Sequence, residues 1–171
     1  MVFAMTACGG KQTASDYVKA ELDSVKSSES EILTNLKSEL ESSGISMNEE
    51  TLSAFLAKIA DFDYEIVGEA ENGDVTVVTV SLTTYNFGEV FSETFNQLMA
   101  DALAGKIGAD VSQDELLEMI FSPLAEVTDK SYTTEFTVEC TMTDDGWNGN
   151  FNTDEFSDAI LGGLISMTNN L

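Results

Sequence analysis

Residues 131–142, Ser-Tyr-Thr-Thr-Glu-Phe-Thr-Val-Glu-Cys-Thr-Met, alternate without a slip. Tyr132, Thr134, Phe136, Val138, Cys140 and Met142 fall on one side, and Thr133, Glu135, Thr137, Glu139 and Thr141 on the other. Side chains of a strand point to opposite faces in turn, so the run predicts a long strand with one buried and one wet face. Such a strand needs partners at its edges and a layer on its apolar side. Most of the chain must therefore supply sheet and cover.

The chain has the means. It holds 171 residues, 43% of them apolar, enough for one domain with its own core and too apolar for a disordered chain. Its charge is lopsided: 31 acidic residues face 7 basic ones, a formal net charge of -24. The basic residues are all lysines (Lys11, Lys19, Lys26, Lys37, Lys58, Lys106, Lys130), and Arg and His are absent. A phosphate backbone is bound by neutralising it with Lys and Arg, so a nucleic-acid partner is excluded as an expectation. Anionic head groups and wall polymers would be repelled by the same field. Without His, no Ser/His/Asp or Cys/His site can be assembled. A metal would have to be held by carboxylates and carbonyls, which favours Ca²⁺ or Mg²⁺.

The first residues carry an address. Met1-Val2-Phe3-Ala4-Met5-Thr6-Ala7 is apolar and leads into Cys8-Gly9-Gly10. A small residue before the cleavage point, followed at once by Cys, resembles a bacterial lipobox, with Met5 where Leu is usual. Residues 1–7 are then a signal-peptide remnant, and Cys8 carries the acyl groups (palmitate among them) that hold the protein to the membrane. The apolar run is short and has no positive n-region, so the start codon is expected upstream. Residues 8–15 make a lipidated Cys plus a flexible tether, at most ~25 Å long when extended. Residues 16–171 make a single domain. If Cys8 is acylated, Cys140 has no disulfide partner and behaves as a small apolar residue on the inner side of its strand.

In chain order, Ser15 or Asp16 caps a helix with Val18, Leu22 and Val25 at helical spacing. Leu33, Leu36 and Leu40 form a second stripe before Ser42-Ser43-Gly44. Asn48 caps a third helix with Leu52, Phe55, Leu56 and Ile59. Tyr64 and Ile66 open a strand that turns at Asn72-Gly73, a strong hairpin signal. Residues 75–85 return as a strand whose alternation slips at Val77-Val78, predicting a bulge or a section buried on both faces. Asn86 caps a long helix reaching Gly105. Ser112-Gln113-Asp114-Glu115 is a capping box for the next, which Pro123 kinks or ends. After Met142, Asp145-Gly146 turns the chain into a strand over 147–151, and a helix over 154–167 closes it. Two hairpins with apolar faces join into one antiparallel sheet of about four strands covered by helices, an α+β domain.

Sites of chemistry are hard to find. The run 148–154 resembles a calcium loop in outline, but Asn148 replaces its first Asp, Thr153 its turn glycine and Ala159 its bidentate Glu. Asp61 and Asp63 flank Phe62 where a helix-stop role suffices. Phe91, Phe95, Phe136, Trp147, Phe151 and Phe156 suit a core better than a ligand cavity. Thr133, Thr137 and Thr141 with Glu135 and Glu139 suit a solvated sheet face, which an extracellular protein or small ligand could use. No catalytic, cofactor-binding or metal residue is singled out. Cys8, the lipidation site, is.

With these residues in hand, the chain resembles a family of small Gram-positive (Firmicutes) lipoproteins of unknown function. The resemblance rests on Thr6-Ala7-Cys8-Gly9-Gly10, on Tyr64-Glu65-Ile66-Val67-Gly68 with Thr84-Tyr85-Asn86-Phe87-Gly88, and on Asp145-Gly146-Trp147 running into Asp158-Ala159-Ile160-Leu161-Gly162-Gly163-Leu164. It implies a nuclear transport factor two-like or cystatin-like α+β fold, a curved sheet around a helix-lined cone. It carries over no catalytic residue. The lysine of the family's Asp-Gly-Lys-Trp turn is missing, and Asn148-Gly149 follows Trp147, which leaves the last strand's length open. The expected function is a non-enzymatic lipoprotein on the extracellular face of the cytoplasmic membrane, binding through its sheet. A carboxylate-dependent hydrolase of wall or extracellular sugars and a passive acidic surface protein are the alternatives.

Overall fold

The computed structural model describes residues 12–27, 33–35, 37–38, 48–108 and 110–169. Cys8 and the tether to Lys11, Leu36, Leu40 and the 42–44 stop lie outside them. Two hairpins make the sheet: β1 (Asp63–Asn72) with β2 (Val75–Thr84), and β3 (Tyr132–Thr143) with β4 (Gly146–Gly149). All pairings are antiparallel, and the strand order is β1-β2-β3-β4. Phe136, Val138 and Cys140 of β3 are buried, as its alternation predicts, while Met142 runs past the core and is exposed.

β2 has no bulge at Val77-Val78; it is instead covered on both faces, one fully and one in part, the other outcome the sequence allows. Thr76, Val78, Val80, Leu82 and Thr84 face inward in strict alternation, and Val77 lies on the other face, half covered by its neighbours. The bulge is in β1, where Val67 is an extra residue between Ile66 (opposite Val80) and Gly68 (opposite Thr79). An extra residue reverses which side chains face in. Before it Tyr64 and Ile66 stand opposite the inward Leu82 and Val80; after it Glu69 stands opposite Val78. The hairpin tips also shift by one: Asn72 and Gly146 are already paired, so the turn residues are Gly73-Asp74 and Asp144-Asp145. β4 ends at Gly149 rather than 151.

Residues 33–35 and 37–38 are helical, as the Leu33 stripe predicts, and six further helices have described bounds. They are α1 (Ala14–Lys26), α2 (Glu49–Ala60), α3 (Phe87–Leu103), α4 (Gln113–Glu126), α5 (Asp154–Ile160) and α6 (Leu164–Thr168). Asn48, Asn86 and Ser112 cap as their sequences predict. The first helix starts earlier: Thr13 is the cap, and Asp16 closes a capping box with it. α3 ends in a Schellman motif, with Lys106 N–H on the Asp101 carbonyl and Gly105 N–H on that of Ala102. α4 continues through Pro123 to Glu126.

The expected closing helix is broken in two. Gly162 and Gly163 have φ of 55° and 79°, left-handed values that glycine takes without a Cβ penalty. The break permits a close backbone approach: Gly88 N–H donates to the Gly162 carbonyl at 3.0 Å, and a Cβ on Gly162 would lie 1.9 Å from the Tyr85 carbonyl oxygen.

Helices and sheet share one core. Val18, Leu22 and Val25 of α1, Phe55 and Ile59 of α2, Leu124 of α4 and Phe156 of α5 pack with Val78, Val80, Leu82, Phe136 and Val138. Phe156 stands 5.3 Å from both Phe136 and Phe151 between ring centres, and Phe55 5.4 Å from Phe87, so these aromatics fill the core. α1 is fastened at both edges of the sheet. On β1, Tyr64 Oη donates to Asp23 at 2.8 Å, and Glu69, brought round by the bulge, accepts from the backbone and hydroxyl of Ser15 in the first turn of α1. On β4, Trp147 Nε1 donates to the Gln12 carbonyl at 2.7 Å.

Candidate functional site

Three places gather chemistry. The first is a polar junction at one end of the sheet. Asp61 ends α2, Asp63 opens β1, Tyr85 follows β2, and Lys130 precedes β3. Lys130 Nζ donates to Asp61 at 2.8 Å and to Asp63 at 3.3 Å, and Tyr85 Oη donates to the other oxygen of Asp61 at 2.6 Å. Lys58 and Lys130 hold their ammonium groups 4.5 and 5.5 Å from the centre of the Tyr85 ring, within cation–π range.

Electrostatics says what this junction does. The hydrogen bonds from Lys130 and then Tyr85 hold the Asp61 carboxyl below its ordinary range. The bond to Asp61, then burial, pushes the Tyr85 phenol up. Burial pulls the Lys130 ammonium down, but its bonds to Asp61 and Asp63 outweigh that and raise it overall. Each group is driven deeper into the charge state it already has at neutral pH. A general acid or base works best with its pKa near the working pH, so the junction has the electrostatics of a clamp between four elements.

Asp61 and Asp63, read from sequence as a helix stop, are thus brought together, and Asp61 is indeed the C-cap. Sequence reasoning misses their partners Lys58, Tyr85 and Lys130. The one signal is a lone lysine placed directly before a strand, which is weak.

The second place is the outer face of the sheet. Thr133, Glu135, Thr137, Glu139 and Thr141 are all exposed, so nothing among the described residues covers β3 there. Register sets them in rows across the strands: Asp63–Thr83–Thr133, Glu65–Ser81–Glu135, Gly68–Thr79–Thr137 and Ala70–Val77–Glu139. The middle of each row is a short hydroxyl or a valine, and the Thr83 and Thr133 hydroxyls bond each other at 2.9 Å. The third place is an open groove of about 650 Å³ between α3 and α4, lined by Leu98, Met119 and Pro123 with Glu93, Thr94, Gln97 and Ser122. A smaller cleft of about 270 Å³ lies over α2 beside Leu33 and Leu56.

The calcium-like run is spent on local structure. Asn150 Oδ1 accepts from the Asn152 N–H at 3.1 Å, and Thr153 caps α5. Among the described residues no three His, Cys, Asp or Glu side chains gather as a metal site would need. Nor is any described helix long and apolar enough to cross a membrane. Of the aromatic set, Phe91 and Phe95 stay off the core centre, stacked 6.1 Å apart along α3, and Trp147 sits half-buried at the β4 edge.

No protein-family model matches the chain, and no curated protein matches it. Among solved structures it is similar to a protein of Bacillus subtilis described as a "putative lipoprotein (ycdA)", with 10% identity and a TM-score of 0.43. The match covers 75% of this chain and 43% of that one, so this chain spans less than half of its length. A likeness this distant carries no argument about function and gives no support to the nuclear transport factor two-like cone.

Proposed function

We propose that the protein is a non-enzymatic lipoprotein, anchored through Cys8 on the extracellular face of the cytoplasmic membrane, that binds a protein or small ligand through the bare face of its sheet. The observation that carries the reading is Thr6-Ala7-Cys8-Gly9-Gly10 standing a few residues ahead of a firmly capped and docked α1. Cys140 agrees with it. Its thiol is fully buried, leaving Cys8 free to be acylated rather than oxidised.

Two observations support binding over hydrolysis. The larger groove contains one carboxylate, Glu93, and the smaller none, whereas sugar hydrolysis needs two carboxyl groups facing each other. Among the described residues, the carboxyls that leave their ordinary range, Asp16, Asp61, Asp101 and Glu115, all go down, the wrong direction for a general acid. The sheet face has what a contact surface needs: short side chains at its centre, carboxylates at its rim and, among the described residues, no covering layer along β3.

Replacing Cys8 by Ser in the full-length gene tests the anchor. The expected result is release from the membrane fraction and loss of acyl mass from the protein. Retention with unchanged mass defeats the reading.

A further inference from the structure

α3 and α4 are buried only at their roots. α3 buries Phe87 and Gly88 of its first turn, and α4 buries Leu124 and Ala125 of its last. Beyond those turns the apolar side chains are half-buried or exposed among the described residues. Of the six large apolar residues that stand exposed among the described residues, four are on these helices: Met99, Leu103, Leu116 and Met119. Exposed apolar groups that cluster on one element mark an interaction surface, whereas scattered ones need no explanation. One of the four, Met119, lines the groove together with Leu98 and Pro123.

The charge around the groove selects what fits it. Every charged residue of α3 (Glu89, Glu93, Asp101) and of α4 (Asp114, Glu115, Glu118, Glu126) is acidic. Lys106, in the loop that joins them, is already bound to Asp101 at 2.7 Å. Pro123 adds an acceptor: it has no N–H to give the Met119 carbonyl, which therefore lacks its usual donor in the groove wall. A second copy of the chain would bring another -24 charges, and an anionic lipid surface would be repelled likewise. An amphipathic helix with a basic face satisfies both properties at once. Its apolar stripe fills the groove, and its Lys or Arg side chains reach the acidic flanks. Met119, unbranched and polarisable, can adjust to such a stripe.

We propose that the α3–α4 groove is a docking site for a cationic amphipathic helix of a partner protein. The surface is distinct from the sheet face and does not depend on the lipid anchor.

The test titrates the full chain carrying Cys8→Ser with a fluorescent Leu/Lys peptide of about 18 residues patterned at the helical period. A second peptide has the same composition, reordered to have no apolar stripe. Saturable binding of the patterned peptide is expected, weakened about tenfold or more by Leu98→Gln with Met119→Gln, which leaves the charge unchanged. Glu93→Lys with Gln97→Lys should weaken it as well. Val67→Gln with Met142→Gln, which removes exposed apolar groups elsewhere, should not. Equal binding of the reordered peptide, or full binding by the Leu98/Met119 variant, overturns the proposal and leaves only attraction to a polyanion. A dimer that the Leu98/Met119 variant dissociates also overturns it, by making a second copy the occupant. Chemical-shift mapping on the unmutated groove tests the same point without relying on a variant's folding: shifts centred on 93–98 and 116–123 support the proposal, and shifts centred elsewhere overturn it.

Discussion

Burial, and then the nearby Glu69 carboxylate, pushes the Cys140 thiol up to about 11. A protonated thiol with no exposed surface is a poor nucleophile. In the Cys8→Ser protein, a disulfide reagent at pH 8 should leave the native chain untouched and modify Cys140 once the chain is unfolded. Rapid reaction in the native state would mean that the inner face of β3 is open. The glycines offer a sharper contrast. Gly162→Ala puts a methyl on the Tyr85 carbonyl at φ 55°, whereas Gly105, at φ 69°, has nothing within 4 Å of its would-be Cβ. Unfolding by urea should show a loss of about 3 kcal/mol or more for the first and about 1 kcal/mol for Gly105→Ala. The tyrosines set the alkaline limit. Burial, then Asp23, raises the Tyr64 phenol to about 12, and Tyr85 is raised by Asp61. A group whose pKa is higher folded than unfolded contributes stability below the unfolded value and loses it as pH rises through the folded one. Stability should therefore fall from about pH 10 to about pH 12, and less steeply in Tyr64→Phe, as measured by urea midpoints. Asp61 works in the other direction: its contribution is present above the ordinary carboxylate range and fades as pH drops through its lowered value.

Among the elements, what is legible in the sequence is local. Asn48, Asn86 and Ser112 lie within three residues of the amides they cap, so the signal and the structure share one window. Val77-Val78 reads from sequence as a bulge or as a section buried on both faces, and the second holds because β2 is a central strand whose outer face is half covered; the bulge itself lies in β1, where no alternation signal marks it. The Gly162-Gly163 break and the polar junction are illegible for a related reason. Gly162 answers to Tyr85 and Gly88, while Asp61 lies 24 residues from Tyr85 and 69 from Lys130. Alternation and helical spacing say which face is apolar, but not which distant element will meet it. The bulge has a testable role. Deleting Val67 would swing Glu69 away from the first turn of α1 and cost several kcal/mol, about what the loss of a register costs, whereas Val67→Ala should stay within about 0.5 kcal/mol. Equal effects of the two changes would show that only the side chain matters.

Across the whole molecule, the alternating strand, the two turn signals and the helical stripes are enough to give an α+β domain with four antiparallel strands. They do not give the groove between α3 and α4, because periodicity cannot tell an apolar stripe that is covered from one that is left open. Charge acts at this scale as well. With 31 acidic and 7 basic residues, mutual repulsion opposes the folded state and is reduced by salt. Raising NaCl from about 20 mM to about 500 mM should move the urea midpoint upward; a midpoint that falls would mean that the lysine contacts at Asp61 and Asp101 outweigh the repulsion. One contact described above makes such experiments simple to follow. Trp147 is the chain's sole tryptophan, and its indole bonds to the carbonyl of Gln12, one residue ahead of the cap of α1. Its emission therefore comes from the seam where the chain enters the fold. A spectral change that precedes the loss of circular dichroism would report α1 leaving the sheet first, read optically from the native sequence without an added dye.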